Sequence, residues 1–113
     1  KNKIVELKHY RNTRDFIHIN DVSNAILKSL KLKGLNILNV GTSKETTILQ
    51  IARIISNELK SNKKIVCLEK KSKNNAISKA DISLTKKILI WKPSIKLKDG
   101  LKKILKNEKK IRS

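Results

Sequence analysis

Residues 13–22, Thr-Arg-Asp-Phe-Ile-His-Ile-Asn-Asp-Val, constrain the fold of this chain more than any other stretch. Apolar side chains in their first part predict a strand over 14–19. Asn20 is a good helix cap and stands before an apolar-periodic run, so this strand should pass directly into a helix over 21–33. A strand that runs straight into a helix indicates a mixed α/β chain. Arg14 then lies at the mouth of the strand, where its planar, two-pronged guanidinium suits a diphosphate.

The rest of the sequence predicts further short strands and helices with short connections, which is an α/β class. Strands are predicted over 3–7, 35–40 and 65–68, and helices over 47–61, 81–89 and 97–106. Thr47, followed three residues later by Gln50, predicts a capping box at the start of the helix over 47–61. The first two strands of the chain are expected to pair. The run 35–40 is apolar enough for a strand buried on both faces of a parallel sheet. Gly34 is expected to end the preceding helix, Gly41 to allow a tight turn after that strand, and the side chain of Asn39 to tie the backbone of that turn.

The charge of +19, from 28 basic and nine acidic residues, raises the question of nucleic-acid binding. The basic residues are nearly all lysine, although arginine is the residue that reads bases and grips phosphates bidentately. Only three aromatic residues are present for stacking on bases. We therefore interpret the charge as a lysine-coated, solvated surface and expect no specific nucleic-acid partner.

A single cysteine, Cys67, excludes an internal disulfide, and no apolar run is long enough to span a bilayer. We expect a cytoplasmic chain with no membrane partner and a buried, structural thiol. His9 and His18 show no metal-ligand spacing with Cys67 or with carboxylates, so we expect no metal. Because the sequence begins at Lys1, we expect a fragment, a processed product or a trimmed chain.

Four blocks in order resemble the second half of the NAD-dependent epimerase/dehydratase family, the nucleotide-sugar branch of the extended short-chain dehydrogenases/reductases. The blocks are 13–22, 36–43, 47–55, and 80–93 followed by 97–101. The resemblance implies that 1–107 is the C-terminal, substrate-binding portion and that 108–113 is a charged tail. It also implies that 35–40 is one strand of the parallel Rossmann sheet, deprived of its neighbours because the N-terminal Rossmann core is absent.

The same resemblance implies a substrate site for a nucleotide-diphosphate sugar. Arg14 is expected to contact the diphosphate; the alternative is a surface arginine paired with Asp15 or with a carbonyl group. The family's Arg-x-Gly-Asp loop places Lys71 on phosphate and Asn74 on the ribose. Both depart from the pattern, so a plain lysine-rich loop stays open, and a register slip of one residue would substitute Lys70.

The family's catalytic and cofactor motifs are missing from these residues. No Gly-rich turn seats a dinucleotide, and Tyr10 is followed four residues later by Arg14 rather than by the lysine of a Tyr-x-x-x-Lys pair. We therefore assign no catalytic and no cofactor-binding residue. NAD(P) belongs to the full-length family enzyme, an isomerase or lyase, and this chain alone is predicted to be inactive. The family's dimer interface is also expected to be missing.

Three alternatives stay open from the sequence: a portion of a same-family nucleotide-sugar reductase, a basic module that binds anions or nucleic acid, and an inert gene remnant. Two departures from the family pattern bear on the alternative of a gene remnant. Ile90 stands where the family has glycine before tryptophan, and a left-handed backbone there would cost about 1 kcal/mol. Lys96 stands where a serine or threonine helix cap is common. Trp91 and Pro93 are expected to close the core over the last helices.

Overall fold

The computed structural model describes residues 3–68 and 76–112 and has the mixed α/β order expected from the sequence. Its elements are β1 (Ile4–Lys8), β2 (Thr13–Arg14), α1 (Ile19–Ser29), β3 (Thr46–Thr47), α2 (Ile48–Glu58), β4 (Lys64–Leu68), α3 (Ser83–Leu89) and α4 (Leu97–Arg112). The predicted site residues Lys71 and Asn74, with Lys70, lie outside the described residues.

Two small sheets join segments that are distant in the sequence. β1 and β4 pair in parallel, with Ile4 opposite Lys64 and Lys8 opposite Leu68. β2 and β3 pair antiparallel through two residues each. The predicted pairing of the first two strands is therefore wrong, because β4 offers β1 a partner of five residues whereas β2 has only two. Cys67 lies in β4, half-buried rather than fully buried.

The predicted strand over 14–19 is much shorter than expected, since only Arg14 of that range is in β2. Two contacts end it. The carboxylate of Asp15 accepts backbone N–H groups from two other segments, and the side chain of His18 caps α1 by accepting the N–H of Asn20 at 3.1 Å. The predicted cap at Asn20 is thus wrong by two residues.

The predicted strand over 35–40 is absent, and no backbone–backbone hydrogen bond to it is found among the described residues. Its side chains at Leu35 and Ile37 are 93% and 83% exposed. A strand needs a partner strand to complete its hydrogen bonds, and within residues 3–68 and 76–112 no strand pairs with this segment. The parallel pairing in this structure is that of β1 with β4 instead.

The helices follow the predicted order with altered ends. α1 ends at Ser29, before Gly34, whose φ of +75° serves a later bend instead. The capping box predicted at the start of α2 is confirmed: Thr47 Oγ1 accepts the N–H of Gln50, and Gln50 Oε1 accepts the N–H of Thr47. α4 continues past residue 106 to Arg112, and the division of the chain at 107 stays a prediction.

A compact apolar core forms between α1, α3 and the segment after α3. Its buried members are Ala25, Ile82, Leu89 and Trp91. The indole Nε1 of Trp91 donates to the carbonyl oxygen of Asp21 at 3.1 Å. The predicted core role of Trp91 is confirmed, although its core neighbours lie on α1 and α3 rather than on the last helix.

Asp21, which is 1% exposed, holds the loop between Trp91 and α4 through its side chain. One carboxylate oxygen accepts the N–H and the hydroxyl of Ser94, and the other accepts the N–H of Ile95. Burial by itself would raise the pKa of Asp21, but the donors from Ile95 and Ser94, with the nearby charge of His18, hold it below its usual value. Asp21 therefore joins the start of α1 to the loop before α4.

Ile90 has φ 50° and ψ 49°, so the backbone at this position is left-handed and the cost to isoleucine applies. Its carbonyl oxygen accepts a hydrogen bond from Lys28 Nζ at 2.8 Å, which links the end of α3 to α1. The Ile90 side chain is 82% exposed, so little packing offsets the backbone strain.

Candidate functional site: a cleft beside Arg14

Asp15, in the block 13–22, connects three segments of the chain through its carboxylate. Its carboxylate accepts the backbone N–H and the hydroxyl of Thr42, the N–H of Ser43 at 2.9 Å and the N–H of Ala80 at 3.1 Å. These donors come from two segments that are 27 and 65 residues away in the sequence. Asp15 thus joins the end of β2 to the 41–43 turn and to the segment before α3.

Burial on its own would raise the pKa of Asp15, but hydrogen bonds from Thr42, Ala80 and Ser43 outweigh that effect and hold the pKa below its usual value. The carboxylate therefore stays ionised at neutral pH. With both oxygens occupied by these donors, Asp15 holds the backbone of two other segments in place.

Gly41 is required at this junction for a reason other than the predicted turn. A Cβ on Gly41 would lie 2.7 Å from Ala80 Cβ and 2.7 Å from Asp15 Oδ2, closer than real Cβ contacts. Asn39, predicted to tie the turn's own backbone, instead donates from Nδ2 to the carbonyl oxygen of Asp81 at 3.2 Å. Both residues hold the 39–43 segment against the segment before α3.

Residues 12–15 and 76–80 run beside each other. The N–H of Thr13 donates to the carbonyl of Ala76 at 2.9 Å, and the N–H of Ser78 donates to Thr13 Oγ1 at 3.1 Å. Asn12 Oδ1 accepts the N–H of Ala76. With the bond from Ala80 to Asp15, these contacts fix the position of one segment relative to the other on both sides of Arg14.

Arg14 lies in an open cleft of about 500 Å³ where these segments meet. The lining residues are Arg14, Asp15, Leu38, Asn39, Val40, Ser78, Lys79, Ala80 and Asp81. Arg14 Nη1 donates to the carbonyl oxygen of Thr13 at 2.8 Å, which is the carbonyl contact named as an alternative. The other alternative, pairing with Asp15, is not seen, because Asp15 is occupied by Thr42, Ser43 and Ala80.

Asp81 is the second acidic residue of the cleft. Its Oδ1 accepts the hydroxyl of Ser83 at 2.7 Å and the N–H of Ser83 at 3.0 Å, and these two bonds lower the pKa of Asp81. Asp81 thereby fixes the first residue of α3. The helix predicted over 81–89 begins at Ser83, and its N-cap is Ile82 rather than Asp81.

The sequence identified Arg14 as a site residue. It did not show that Asp15, Gly41 and Lys79 lie at or beside the same cleft. Asp15 stood in the motif, yet only the fold shows that its partners are Thr42, Ser43 and Ala80. Arg14 and Lys79 give the cleft two positively charged residues, beside carboxylates of Asp15 and Asp81 that accept hydrogen bonds from the chain.

Proteins of known sequence are similar to this chain over most of its length. The chain is 35% identical over 91 residues to the UDP-glucuronate 4-epimerase of Thermodesulfobacterium geofontis, covering 80% of this chain and 28% of that protein. It is 33% identical over 94 residues to a putative UDP-glucose 4-epimerase of Methanocaldococcus jannaschii, covering 82% and 30%. The chain thus spans about a third or less of the length of these relatives. No protein-family model matches it.

Solved structures share the fold. The UDP-glucose 4-epimerase of Thermotoga maritima, determined with UDP-glucose, superposes with a TM-score of 0.86 at 24% identity, over 96% of this chain and 36% of that one. A structure of RMD from Pseudomonas aeruginosa with NADPH gives a TM-score of 0.85 at 20% identity, over 98% and 37%. The predicted α/β fold, that of a C-terminal portion of larger enzymes, is confirmed by these matches.

Proposed function

Since this chain corresponds to the C-terminal portion of the NAD-dependent epimerase/dehydratase family, we propose that it supplies the nucleotide-sugar-binding part of such an enzyme. In the proposal, the cleft beside Arg14 takes the diphosphate of a nucleotide-linked sugar. The relatives include 4-epimerases and UDP-glucuronic acid decarboxylases, so the proposal extends to the class they share, the conversion of nucleotide-linked sugars.

The observation that carries the proposal is the position of Arg14. Its guanidinium borders an open cleft, and its neighbour Asp15 is occupied by backbone donors rather than by the guanidinium. A bidentate, permanently charged donor at the edge of a cleft suits a diphosphate better than it suits an isolated surface position. Lys71 and Asn74 are proposed to help with phosphate and ribose, as the family resemblance implies.

Titration calorimetry of the 113-residue chain with UDP tests this function. Arg14→Ala is expected to weaken UDP binding by about tenfold or more, because a hydrogen bond to a charged group is worth about 1.5–3 kcal/mol. Arg53→Ala is the matched control, since Arg53 is an exposed arginine of α2 outside the cleft. It removes the same charge and should change the affinity by less than about twofold.

Equal losses in the two variants would show that UDP responds only to the overall charge of +19, and they would contradict the proposal. A wild-type chain with no saturable UDP binding would contradict it as well. Salt sharpens the distinction, because non-specific attraction should fade between low and physiological ionic strength.

The cofactor and the chemistry are proposed to come from outside these residues. Relatives of known structure are described with NAD or NADPH. The three glycines of this chain are widely separated and form no Gly-rich turn for a dinucleotide. We therefore propose that the chain alone neither oxidises a sugar hydroxyl nor holds NAD(P), and that the full-length enzyme does both.

None of the described helices is both long and apolar enough to cross a membrane. The cytoplasmic location stays a prediction and belongs to this proposal.

A further inference from the structure

Lys79 was not singled out by any sequence motif, yet its backbone is held beside Arg14. The N–H of Ser78 donates to Thr13 Oγ1 at 3.1 Å, and the N–H of Ala80 donates to Asp15 Oδ2 at 3.1 Å. Residues 78 and 80 are thereby bonded to the residues on either side of Arg14. Lys79 is consequently the neighbour of Arg14 across the two segments.

Both residues line the same cleft of about 500 Å³, and both are exposed. Neither forms an ion pair with a carboxylate within the part of the chain that the structure describes. The acidic side chains of the cleft are engaged elsewhere, Asp15 by Thr42, Ser43 and Ala80, and Asp81 by Ser83. Like charges on neighbouring extended segments repel each other unless an anion lies between them.

We infer that Lys79 is a second cationic binding residue of this site, which acts with Arg14 on a ligand that carries two linked phosphates. The inference rests on the proposed function and deepens it by naming the ligand's second charge as the group that Lys79 recognises. A lysine is a flexible point charge, so it can follow a second phosphate while the guanidinium of Arg14 binds the first. The backbone bonds at Ser78 and Ala80 keep the origin of the Lys79 side chain in place.

The test compares UDP with UMP, the analogue that lacks the second phosphate, by calorimetry on the 113-residue chain. Lys79→Ala should weaken UDP binding by about two- to fivefold, the range of an exposed ion pair. It should change UMP binding by less than about 1.5-fold, because UMP lacks the group that Lys79 recognises. Lys79→Arg keeps the charge and should restore most of the UDP affinity.

Lys86→Ala is the matched control, because Lys86 is an exposed lysine of α3 outside the cleft. A Lys79→Ala loss no larger than that of Lys86→Ala, with Arg14→Ala still defective, overturns the role of Lys79 and leaves the proposed function standing. Equal losses for UDP and UMP overturn the second-phosphate assignment. No saturable UDP binding by the wild-type chain overturns the proposed function and this inference together.

Discussion

Two regions of the molecule differ in how far their interactions are completed within the chain. In the anchored region, residues 13–21, 41–43 and 80–95, two aspartates accept hydrogen bonds from distant backbone. On the open face, large apolar side chains of α1 and the following segment are 56–93% exposed. Its members are Ile26, Leu27, Leu30, Leu35 and Ile37.

The difference separates what this chain supplies from what it lacks. The two aspartates of the anchored region find their hydrogen-bond donors within this chain, and these bonds hold together the segments that form the cleft beside Arg14. The open face instead exposes several large apolar residues close together in the sequence, and such surfaces usually mark an interface. We expect the remaining two-thirds of a family-length enzyme to complete that face, because the chain spans only 28–37% of its relatives.

The largest predicted contrast comes from one substitution made in both regions. Ile82 is 1% exposed and Ile37 is 83% exposed. Ile82→Ala should lower the free energy of unfolding by about 2–5 kcal/mol, since it removes buried methyl groups and leaves a cavity. Ile37→Ala should change it by less than about 0.5 kcal/mol. Urea denaturation followed by circular dichroism measures both.

Similar losses from the two isoleucine variants would erase the distinction between the regions. They would mean that residues 35–40 are packed in solution, by this chain or by a second copy. Sedimentation at several protein concentrations separates these two cases, because only packing against a second copy depends on concentration.

Removing one of the two aspartates of the anchored region should have the next largest effect on the free energy of unfolding. Asp21→Ala is expected to cost about 2–3 kcal/mol of unfolding free energy, because the N–H groups of Ser94 and Ile95 lose a charged acceptor that is itself buried. Glu45→Ala, at an exposed carboxylate, is the control and should stay within about 0.5 kcal/mol of the wild type. Equal values for both variants would show that the carboxylate of Asp21 does not hold the loop before α4.

The lowered pKa values of Asp15 and Asp21 also predict that stability depends on pH in the acid range. The folded pKa values of Asp15 and Asp21 are lowered from the ordinary 3.8, so the unfolded chain takes up protons first as the pH falls. Their stabilisation is therefore complete above about pH 5 and is lost progressively as the pH falls through 3.8 and below. Urea midpoints between pH 6 and pH 3 should fall more steeply for the wild type than for Asp15→Asn. Parallel curves would rule out Asp15 as a source of this dependence.

The smallest effect concerns a backbone angle and has the opposite sign. Ile90→Gly should raise the unfolding free energy by about 1 kcal/mol, because glycine adopts the φ of 50° without a Cβ clash. Ile88→Gly, inside α3, should lower it by about 0.5–1 kcal/mol or more. Urea denaturation of the pair gives the signs directly, and destabilisation by Ile90→Gly would show that the exposed isoleucine packs in solution.

Features that depend on near neighbours could be predicted from the sequence. The capping box of Thr47 and Gln50 needs only a four-residue spacing, and it is present. The family pattern around Trp91 marked Ile90 as a departure from glycine, and the structure shows that its backbone is left-handed. The place of Arg14 beside a cleft followed from the motif in the same way.

Features that depend on distant partners were not predictable from one sequence. The donors to Asp15 lie 27 to 65 residues away, so the motif alone could not show that Asp15 joins these segments. A strand over 35–40 fitted the apolar pattern, yet a strand requires a partner that the described chain does not supply there. The cap at His18 was missed because serine, threonine, aspartate and asparagine are the usual capping residues.

The central claim, that this chain carries the nucleotide-sugar site of a larger enzyme, is tested most directly by nuclear magnetic resonance. The isotopically labelled 113-residue chain would be titrated with UDP at physiological salt. The account predicts saturable shifts at the amides of Arg14, Ser78, Lys79 and Ala80, which disappear in Arg14→Ala, while Leu35 and Ile37 do not move. Shifts scattered over exposed lysines, unchanged in Arg14→Ala and abolished by salt, would contradict it.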